Sequence, residues 1–468
     1  MMTTSNRDLK LHRIVIVGGG AGGLELATRL GNTLGKRRKA EIILVDAALT
    51  HIWKPLLHEV AAGTLNSYED ELNYFAHANQ HHFEFFLGRL KDIDRQTQEI
   101  VLDVLRDEEG KDIAPERRIG YDTLVMAIGS TSNDFGTSGA KEHCIFLDSR
   151  PQADRFQREF LSMYLEAQAN HLMHRHQNDL NIAIIGAGAT GVELAAELHH
   201  AANEFSKYGL NSIDPKDVNI SLIEAAPRIL PALNERVSER AQKELEDIGV
   251  KVLTNCRVTH IDADKVWCEG DLQVSATLKV WSAGIKAPDF LKDIAGLETN
   301  RINQLVVRPS LQTTRDENIF AMGDCACYIP EGQERPVPPR AQVANQEAIF
   351  LAKALENRLN QKPLGQFQFK DKGSLISLSE HSSVGSIFNN INVEGFMARM
   401  MYVSLYRFHQ VALHGVFKTT LMMMTDLLSK LHHRNLKCTN AGRQLNLFDA
   451  SSNLNHFPMT SDLYARLS

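Results

Sequence analysis

The sequence predicts an α/β protein of 468 residues in which one plan, a strand followed by a glycine-rich turn and a helix, occurs twice. The first turn is 18–23 (GGGAGG) after the β-rich run 14–17, and the second is 186–191 (GAGATG) after 182–185. The spaced glycines of such a turn allow a tight backbone, close approach of a pyrophosphate and close packing of helix on strand. We therefore expect two nested Rossmann-like dinucleotide-binding domains.

Each glycine turn is followed by a second predicted strand that ends in a carboxylate. Residues 40–46 end at Asp46, and residues 218–224 end at Glu224. A carboxylate at this position is suited to a ribose hydroxyl. The second interval exceeds the usual ~20 residues, so we expect an insertion over 199–216, after the helix. The alternative is two ordinary βα units with accidental acids.

Glu224 also bears on the choice of nucleotide. A carboxylate at the ribose repels a 2′-phosphate, so NADH is favoured over NADPH. Arg228, four residues further on, is positioned to weaken that preference.

The remaining strand pattern divides the chain. The run 121–130 is a buried strand ending in a glycine turn, 278–284 repeats it in the second half, and 318–324 ends in glycine and aspartate. The last run suggests that the chain returns to its first domain. The predicted domains are residues 1–150 with 285–385, residues 151–284, and a C-terminal region of residues 386–468.

Composition excludes some classes of protein. A hydrophobic fraction of 43% permits more than one core, and a net charge of −6 gives no reason to expect nucleic acid. Residues 1–10 resemble neither a secretory signal nor a transit peptide, so we expect a cytosolic catalytic body and reduced thiols for the six cysteines. Several histidines come as adjacent pairs, at 81–82, 199–200 and 432–433, which do not converge on one ion, and we expect no metal.

The C-terminal region is basic and amphipathic. Residues 395–443 contain seven Lys or Arg and a single acid, Asp426, but no run of ~18 apolar residues that spans a bilayer. We predict one interfacial helix over 396–424 on anionic lipid; the alternative is a helix packed on the protein's own core or on a second subunit. Its apolar side comprises Met397, Met401, Leu405, Phe408 and Ala412, and its polar side Arg399, Arg407, Gln410 and His414.

A helix is predicted from residue 340, directly after the proline-rich 336–339. Its positive N-terminal end is suited to a reduced, anionic ring. This helix (Ala-Gln-x-Ala-x-Gln, 341–346), the Ala-Met-Gly-Asp motif at 321–324, the stretch 51–63 and the paired glycine turns together resemble a type II NADH:quinone oxidoreductase of the bacterial type. The resemblance covers nearly the whole chain.

The resemblance implies a flavoprotein with noncovalent FAD in the first unit, to which NADH passes a hydride. Membrane quinone then takes two electrons without proton pumping. It also implies a peripheral protein on the cytoplasmic face of the cell inner membrane, and leaves a homodimer open.

The expected site residues combine the glycine turns with the motifs of the resemblance. For FAD they are Gly18, Gly20, Gly22, Gly23, Asp46, Lys54, Ala127, Gly129, Asp324, Gln342 and Val343. For NADH they are Gly186, Gly188, Thr190, Gly191, Glu193, Glu224, Ala283 and Gly284. Glu193, Gln342 and Gln346 are the expected catalytic residues, with the two glutamines at the quinone. The alternatives are a helix-start acid for Glu193 and a polar helix surface for the glutamines.

Three rival functions remain open. A sulfide:quinone oxidoreductase shares the fold and uses cysteines at the flavin, for which Cys144 and Cys325 are available. A disulfide reductase is disfavoured because the helix after Gly23 has no active-site cysteines. A signalling or scaffold protein that holds FAD and NADH without fast turnover is the non-enzymatic alternative.

Overall fold

The computed structural model describes residues 11–65, 71–173, 180–207, 210, 213–378, 382–387 and 391–432. The predicted features at residues 1–10 and 433–468, including the end of the basic segment, lie outside these ranges. The α-helices are α1 (Ala21–Leu30), α2 (Leu57–Ala62), α3 (Tyr74–Gln80), α4 (Ala140–His143), α5 (Arg150–Leu172), α6 (Ala189–Lys207), α7 (Glu235–Asp247), α8 (Ala341–Leu359), α9 (Gly395–His414) and α10 (Val416–His432).

The strands are short, and most belong to two parallel sheets or to small antiparallel ones. In chain order they are β1 (His12–Val17), β2 (Ala40–Asp46), β3 (Thr50–His51), β4 (Leu72–Asn73), β5 (Glu84–Leu87), β6 (Leu90–Asp94), β7 (Glu99–Leu102), β8 (Leu105–Arg106), β9 (Asp112–Ala114), β10 (Arg117–Gly120), β11 (Thr123–Met126), β12 (Thr131–Ser132), β13 (Ile145–Phe146), β14 (Leu180–Ile185), β15 (Val218–Ile223), β16 (Lys251–Leu253), β17 (Val258–Ile261), β18 (Lys265–Cys268), β19 (Gln273–Ser275), β20 (Leu278–Trp281), β21 (Ile285–Lys286), β22 (Leu305–Val306), β23 (Gln312–Thr313), β24 (Asp316–Ala321), β25 (Ala326–Cys327), β26 (Gly373–Ser377), β27 (Ser383–Ile387) and β28 (Ile391–Glu394).

The first large sheet has the order β23-β24-β11-β1-β2-β5, with every pair parallel except β23–β24. Its central strand β1 reads HRIVIV and is buried over its last four residues, as expected for a parallel strand covered on both faces. Strand β24 pairs with β11 from nearly 200 residues earlier. The chain therefore returns to its first unit.

The second large sheet, β13-β20-β14-β15-β16, is all parallel and is drawn entirely from residues 145–253 and 278–281. Its β14–β15 pair has the same position and register as β1–β2 in the first sheet. Separate hydrophobic clusters underlie the two sheets, so each unit has its own core. The α/β fold with two repeated units is confirmed.

The chain crosses between the two units at one pair of short strands. Strand β12 lies where the chain leaves the first unit, and β21 lies where it leaves the second. The two strands pair through Thr131↔Lys286 and Ser132↔Ile285. The predicted boundary near 150 follows β12 in the chain, and the predicted boundary at 285 coincides with the start of β21. The boundary at 385 falls inside β27, which pairs with β26 and β28 in one three-stranded sheet.

Two element predictions were wrong. Residues 396–424 do not form one helix, because Gly415, with φ 78° and ψ 164°, separates α9 from α10; only glycine adopts such a positive φ without strain. The proposed insertion at 199–216 also begins later, since α6 continues through His199 to Lys207. Among the described residues, no helix is both long and apolar enough to cross a membrane.

Candidate functional site

The first glycine turn is held by contacts that leave no room for side chains. Gly18 has φ +106°, and a Cβ built on it would lie 2.3 Å from the Ala127 carbonyl oxygen. A Cβ on Gly23 would lie 1.9 Å from the Gly18 carbonyl oxygen, which shows how closely α1 packs on β1. A Cβ on Gly20 meets no described atom within 4 Å. Gly20 is therefore on the open side of the turn, where a pyrophosphate approaches.

The second turn repeats this geometry at its three matching glycines. Gly186 has φ +102° and approaches Ala283, whose Cα would lie 2.6 Å from an added Cβ. Gly191 would again place its Cβ 1.9 Å from a carbonyl oxygen, that of Gly186. Gly188 is open, like Gly20. Both turns thus have the form required for a phosphate at a helix N-terminus.

The two strand-end carboxylates bind their glycine turns through backbone amides. Asp46 Oδ2 accepts from the Gly19 amide at 2.6 Å, and Glu224 Oε2 accepts from the Ala187 amide at 2.8 Å. The other oxygen of each accepts from the amide two residues downstream, at 2.8 Å in both units. Each oxygen has a second lone pair, which leaves capacity for ribose hydroxyls. Burial raises the pKa of Asp46.

The Arg228 guanidinium is hydrogen-bonded to backbone carbonyls. It donates to the carbonyls of Leu233 at 2.8 Å and Pro231 at 3.0 Å, and so fixes the turn after β15. These bonds direct Nη1 and Nη2 of Arg228 to the turn, which disfavours a contact with a 2′-phosphate.

The carboxyl ends of β11 and β24 bring several predicted residues together. Ser130, next to Gly129, donates to Asp324 Oδ2 at 2.7 Å, and Lys54 Nζ donates to the Ser130 carbonyl at 2.9 Å. Ligands of open parallel sheets bind outside the carboxyl ends of the strands. Ser130 thus connects Lys54 with Asp324, and a role for Lys54, Gly129 and Asp324 at FAD stays a prediction.

Glu347 is a site residue that the sequence analysis missed. It lies on α8, 2% exposed, and its Oε2 accepts from the Gly323 amide at 2.6 Å. Burial raises its pKa to about 8. It fixes the Ala-Met-Gly-Asp turn to α8, but the 24 residues between the partners hid the pairing.

Gln342 and Gln346 both project from α8 toward residues 370–373. Gln346 exchanges two hydrogen bonds with the Lys370 backbone, at 2.9 and 3.0 Å. Gln342 donates to Asp371 Oδ1 at 3.1 Å and to the Gly373 carbonyl at 3.0 Å, and accepts from the Lys372 amide at 3.2 Å. The glutamines thus hold this segment against α8, and a role at the quinone stays a prediction.

Glu193 is the fifth residue of α6, beyond its first turn, and is 7% exposed. Its Oε1 accepts from the Ser377 amide at 3.1 Å, and the hydroxyl of Tyr402 on α9 is also hydrogen-bonded to it. His58 of α2 faces it, with Nδ1 3.6 Å from Oε2. Burial raises the pKa of Glu193 to about 8, so the carboxyl is mainly protonated at neutral pH. Neither His58 nor Tyr402 has a sequence signal, because they come from distant segments.

A group of histidines joins α9 to the first unit. His51 Nδ1 binds the Gly19 carbonyl at 3.0 Å, and its Nε2 lies 3.1 Å from His409 Nε2. The Trp53 ring stacks on His409 with centroids 4.0 Å apart. Burial lowers the pKa of His51 to about 4 and that of His409 well below its usual value, so both rings are neutral.

The cysteines offered for sulfide chemistry are poorly suited to it. Cys325 is fully buried, with Sγ 3.3 Å from the Met322 carbonyl, and burial raises its pKa to about 11. Burial likewise raises the pKa of Cys144 to about 12. Nucleophilic cysteines need accessible thiolates.

The fold and the two loops define an oxidoreductase class with one site for a flavin nucleotide and one for a pyridine nucleotide. In agreement, residues 12–348 match the family model described as pyridine nucleotide-disulphide oxidoreductase. A type II NADH:quinone oxidoreductase of Haemophilus influenzae is 44% identical over 443 residues, covering 91% of this chain and 100% of that protein. The chain belongs to the type II NADH:quinone oxidoreductase family.

Solved structures agree at the level of fold. The NDH2 of Plasmodium falciparum in complex with NADH is 19% identical, with a TM-score of 0.75, over 90% of this chain and 98% of that one. The sulfide:quinone oxidoreductase of Aquifex aeolicus is 17% identical, with a TM-score of 0.66, over 93% and 95% of the two chains. The rival class is thus the more distant neighbour of these two.

Proposed function

We propose that this enzyme oxidises NADH, holds FAD noncovalently in its first unit and reduces membrane quinone by two electrons without proton pumping. Family membership and the two complete glycine turns, each with its carboxylate, support the proposal. The observation that carries it is that the loops 18–23 and 186–191 share the geometry of three glycines and of a carboxylate bound to a loop amide. One such loop binds one dinucleotide, so two loops fit an enzyme that passes electrons between two of them.

The first unit fits FAD. The open side of Gly20 and the free amides at the start of α1 suit the pyrophosphate, and Asp46 has lone pairs for the ribose. Asp324 and Lys54 lie at the strand ends, and α8 begins with Gln342 and Val343 in its first turn, where the Val343 amide donates to the Arg340 carbonyl at 2.9 Å. FAD, when bound, supplies the redox chemistry between nicotinamide and quinone.

The second unit is proposed to bind NADH, with Gly188 toward the pyrophosphate and Glu224 toward the ribose. Thr190, Ala283 and Gly284 border this turn. Glu224 disfavours a 2′-phosphate, and Arg228 is occupied by the turn that follows it. We therefore expect a clear preference for NADH over NADPH.

Glu193 is proposed as the proton donor at the reacting centre. It is buried between α2, α6, β26 and α9, and with a pKa of about 8 it holds a proton at neutral pH. Reduction of a quinone consumes protons, and a neutral buried acid is suited to deliver one. The Tyr402 hydroxyl, whose pKa is raised by burial, orients this carboxyl.

The membrane-facing part of the proposal rests on α9 and α10. Phe408 is 70% exposed and Phe417 86% exposed, while His409, Gln410 and Leu413 of the same stretch are buried against the protein. The polar side of α9 thus faces inward and its apolar side outward, which is the arrangement that an interfacial segment needs. We propose attachment to the cytoplasmic face of the inner membrane; a homodimer stays a prediction.

The basic side of α9 contributes less to lipid binding than the sequence predicts. Arg399 donates to Ser377 Oγ at 2.6 Å and Arg407 to Gln410 Oε1 at 2.7 Å. Lys418 on α10 is exposed. Because both arginines bind protein groups, we expect apolar burial to supply most of the membrane affinity.

The test is to mix the purified flavin-containing protein anaerobically with NADH, and then with a short-chain quinone, while recording flavin absorbance. Bleaching by NADH and recovery with quinone are expected. Bleaching by sulfide alone would transfer the chain to the sulfide-oxidising class. No bleaching by either donor would leave a non-enzymatic nucleotide-binding protein.

A further inference from the structure

A cluster of ligand atoms lies outside the dinucleotide turns, where α2 meets α6. It consists of His58 and Glu59 on α2 and Glu197 on α6, each offering one atom, with all three atoms within 4.8 Å of one another. His58 Nε2 is 3.9 Å from Glu59 Oε1. Sequence spacing predicted no metal-binding group, because the two helices are about 130 residues apart and only the fold brings them together.

The tautomer of His58 is set by its surroundings. The ring is 1% exposed and is hydrogen-bonded to the backbone of Pro55. Proline has no amide hydrogen, so the partner is its carbonyl and the ring nitrogen is the donor. Within the part of the chain that the structure describes, Nε2 has no hydrogen-bond partner. The donor is therefore Nδ1, and Nε2 directs a lone pair at the two carboxylates.

This arrangement matches the usual outer shell of a metal-binding histidine, in which one ring nitrogen donates to a carbonyl and the other binds the ion. The carboxylate of Glu197 also has an outer-shell partner, since Thr64 Oγ1 donates to its Oε2 at 3.1 Å. Two acidic groups and a neutral imidazole carry a formal charge that a divalent cation neutralises.

We propose that His58, Glu59 and Glu197 form a binding site for a divalent transition-metal ion, with Zn²⁺ the best match. One nitrogen and two carboxylate oxygens are a common three-ligand set for zinc, with water in the fourth position. Bonds of about 2.1 Å place tetrahedral ligand atoms about 3.4 Å apart, so the cluster closes by roughly 1 Å on binding. Mg²⁺ prefers all-oxygen octahedral sites and is a poor match.

The site would link the two units beside Glu193. Glu193 lies one helical turn before Glu197 on α6. The His58 ring has Nδ1 toward Glu193 and Nε2 toward Glu59. A bound cation would therefore fix α2 against α6.

The experiment uses the full-length flavin-containing protein, treated with a chelator and titrated with ZnCl₂ in a calorimeter. The wild type is expected to take up one tightly bound equivalent, unaffected by excess MgCl₂. The variants Glu59→Gln and Glu197→Gln should each weaken that event at least tenfold. The matched control is Glu204→Gln, further along α6 and paired with Lys207, which should bind as the wild type does.

Two results would overturn the proposal. One is no saturable zinc binding to the wild type, and the other is equal binding by the wild type and both glutamine variants, which would indicate a site such as the pair His199–His200. If Glu197→Gln does not fold, as judged by flavin content, zinc binding by Glu59→Gln decides, because Glu59 is partly exposed. Because the readout is metal binding, it is independent of NADH and quinone turnover.

Discussion

At the residue scale, the middle glycines of the two turns differ from their neighbours. Gly18 and Gly23 are enclosed by protein atoms, whereas an added Cβ on Gly20 or Gly188 meets nothing described within 4 Å. The outer glycines are thus required by the fold. The middle ones are required only by what binds there, and this difference can be measured.

Gly188→Ala is expected to raise the KM for NADH about tenfold or more, a loss of roughly 1.4 kcal/mol, because its methyl group would enter the space of the pyrophosphate. Flavin content and thermal stability should stay at wild-type values. The comparison is Gly191→Ala, whose Cβ would clash with the Gly186 carbonyl and should destabilise the second unit. An unchanged KM in Gly188→Ala would remove the second turn from NADH binding.

Glu193→Gln is expected to lower turnover with quinone on the order of 100-fold, the usual contribution of a general acid. Since the pKa of Glu193 is about 8, wild-type turnover should fall as pH rises through 8, where the carboxyl loses its proton. The variant, which has no titrating group there, should lose that step. Glu204→Gln, further along α6 and paired with Lys207, is the control and should keep the wild-type pH profile. A retained step in Glu193→Gln would assign it to another group.

Residues close in sequence were predictable and residues brought together by the fold were not. The glycine turns, Asp46 and Glu224 follow from local spacing, because strand, turn and strand end are consecutive. Glu347, His58 and Tyr402 were missed because each acts on a backbone or side chain far along the chain. The carbonyl partners of Arg228 could not be predicted either, because sequence does not identify them.

At the element scale, α8 and the segment 370–373 form one unit through the side chains of Gln342 and Gln346. A hydrogen bond to backbone typically contributes about 1 kcal/mol. The helix itself was predictable from its proline-preceded start, but the partner segment was not, because it has no regular pattern.

Gln346→Ala should lower the free energy of unfolding by about 1 to 2 kcal/mol, measured by urea denaturation, since two backbone groups of Lys370 lose their partner. If Gln342 also contacts quinone, Gln342→Ala should raise the KM for quinone and leave that for NADH unchanged. Asp371→Ala, which breaks the same contact while keeping the glutamine, separates the two roles. Equal effects of both variants on quinone would show that Gln342 acts only through the segment.

The exposed apolar side of α9 and α10 leads to a prediction about binding to lipid. Replacing Phe408 and Phe417 together by Ser should reduce binding to lipid vesicles at least tenfold, because burying one such ring is worth about 2 kcal/mol. Turnover with a soluble quinone should persist. Ile113→Ser, at a residue 62% exposed on the first unit, is the matched control. Unchanged sedimentation with vesicles would place the membrane contact elsewhere.

At the scale of the whole molecule, buried neutral histidines make folding sensitive to acid. The unfolded chain binds a proton at each His below pH 6.5, whereas His51 in the folded protein does so only near pH 4. In this window the unfolded state holds more protons, so stability falls as pH falls, by up to about 1.4 kcal/mol per unit for each such histidine. Above pH 6.5 both states are neutral and this effect disappears.

His51→Gln should therefore reduce the loss of stability between neutral pH and pH about 5, as followed by urea denaturation. The absolute stability of the variant at neutral pH is expected to be lower, because the bonds to Gly19 and His409 change. His260→Gln, at an exposed ring, should keep the wild-type slope. A slope unchanged in His51→Gln would contradict the assignment.

The fold of the whole was predictable because its organisation is repeated in the sequence, whereas the C-terminal helices were predicted only in part. Met397, Leu405 and Phe408 of the predicted apolar side are exposed, and their contact with a membrane stays a prediction. The break at Gly415 was not predicted, since a single glycine inside an apolar pattern is compatible with a continuous helix.

The β12–β21 ladder has a consequence for how this protein can be rebuilt. The chain enters the second unit after β12 and leaves it at β21, and these two strands are paired with each other. The second unit is therefore inserted into the first unit at a single place, where its two ends lie side by side. Such a connection tolerates changes of length and content between its ends, since the host strands are held by each other. Nucleotide preference could therefore be exchanged between relatives by grafting the second unit, provided the surfaces toward α2 and α9 are kept.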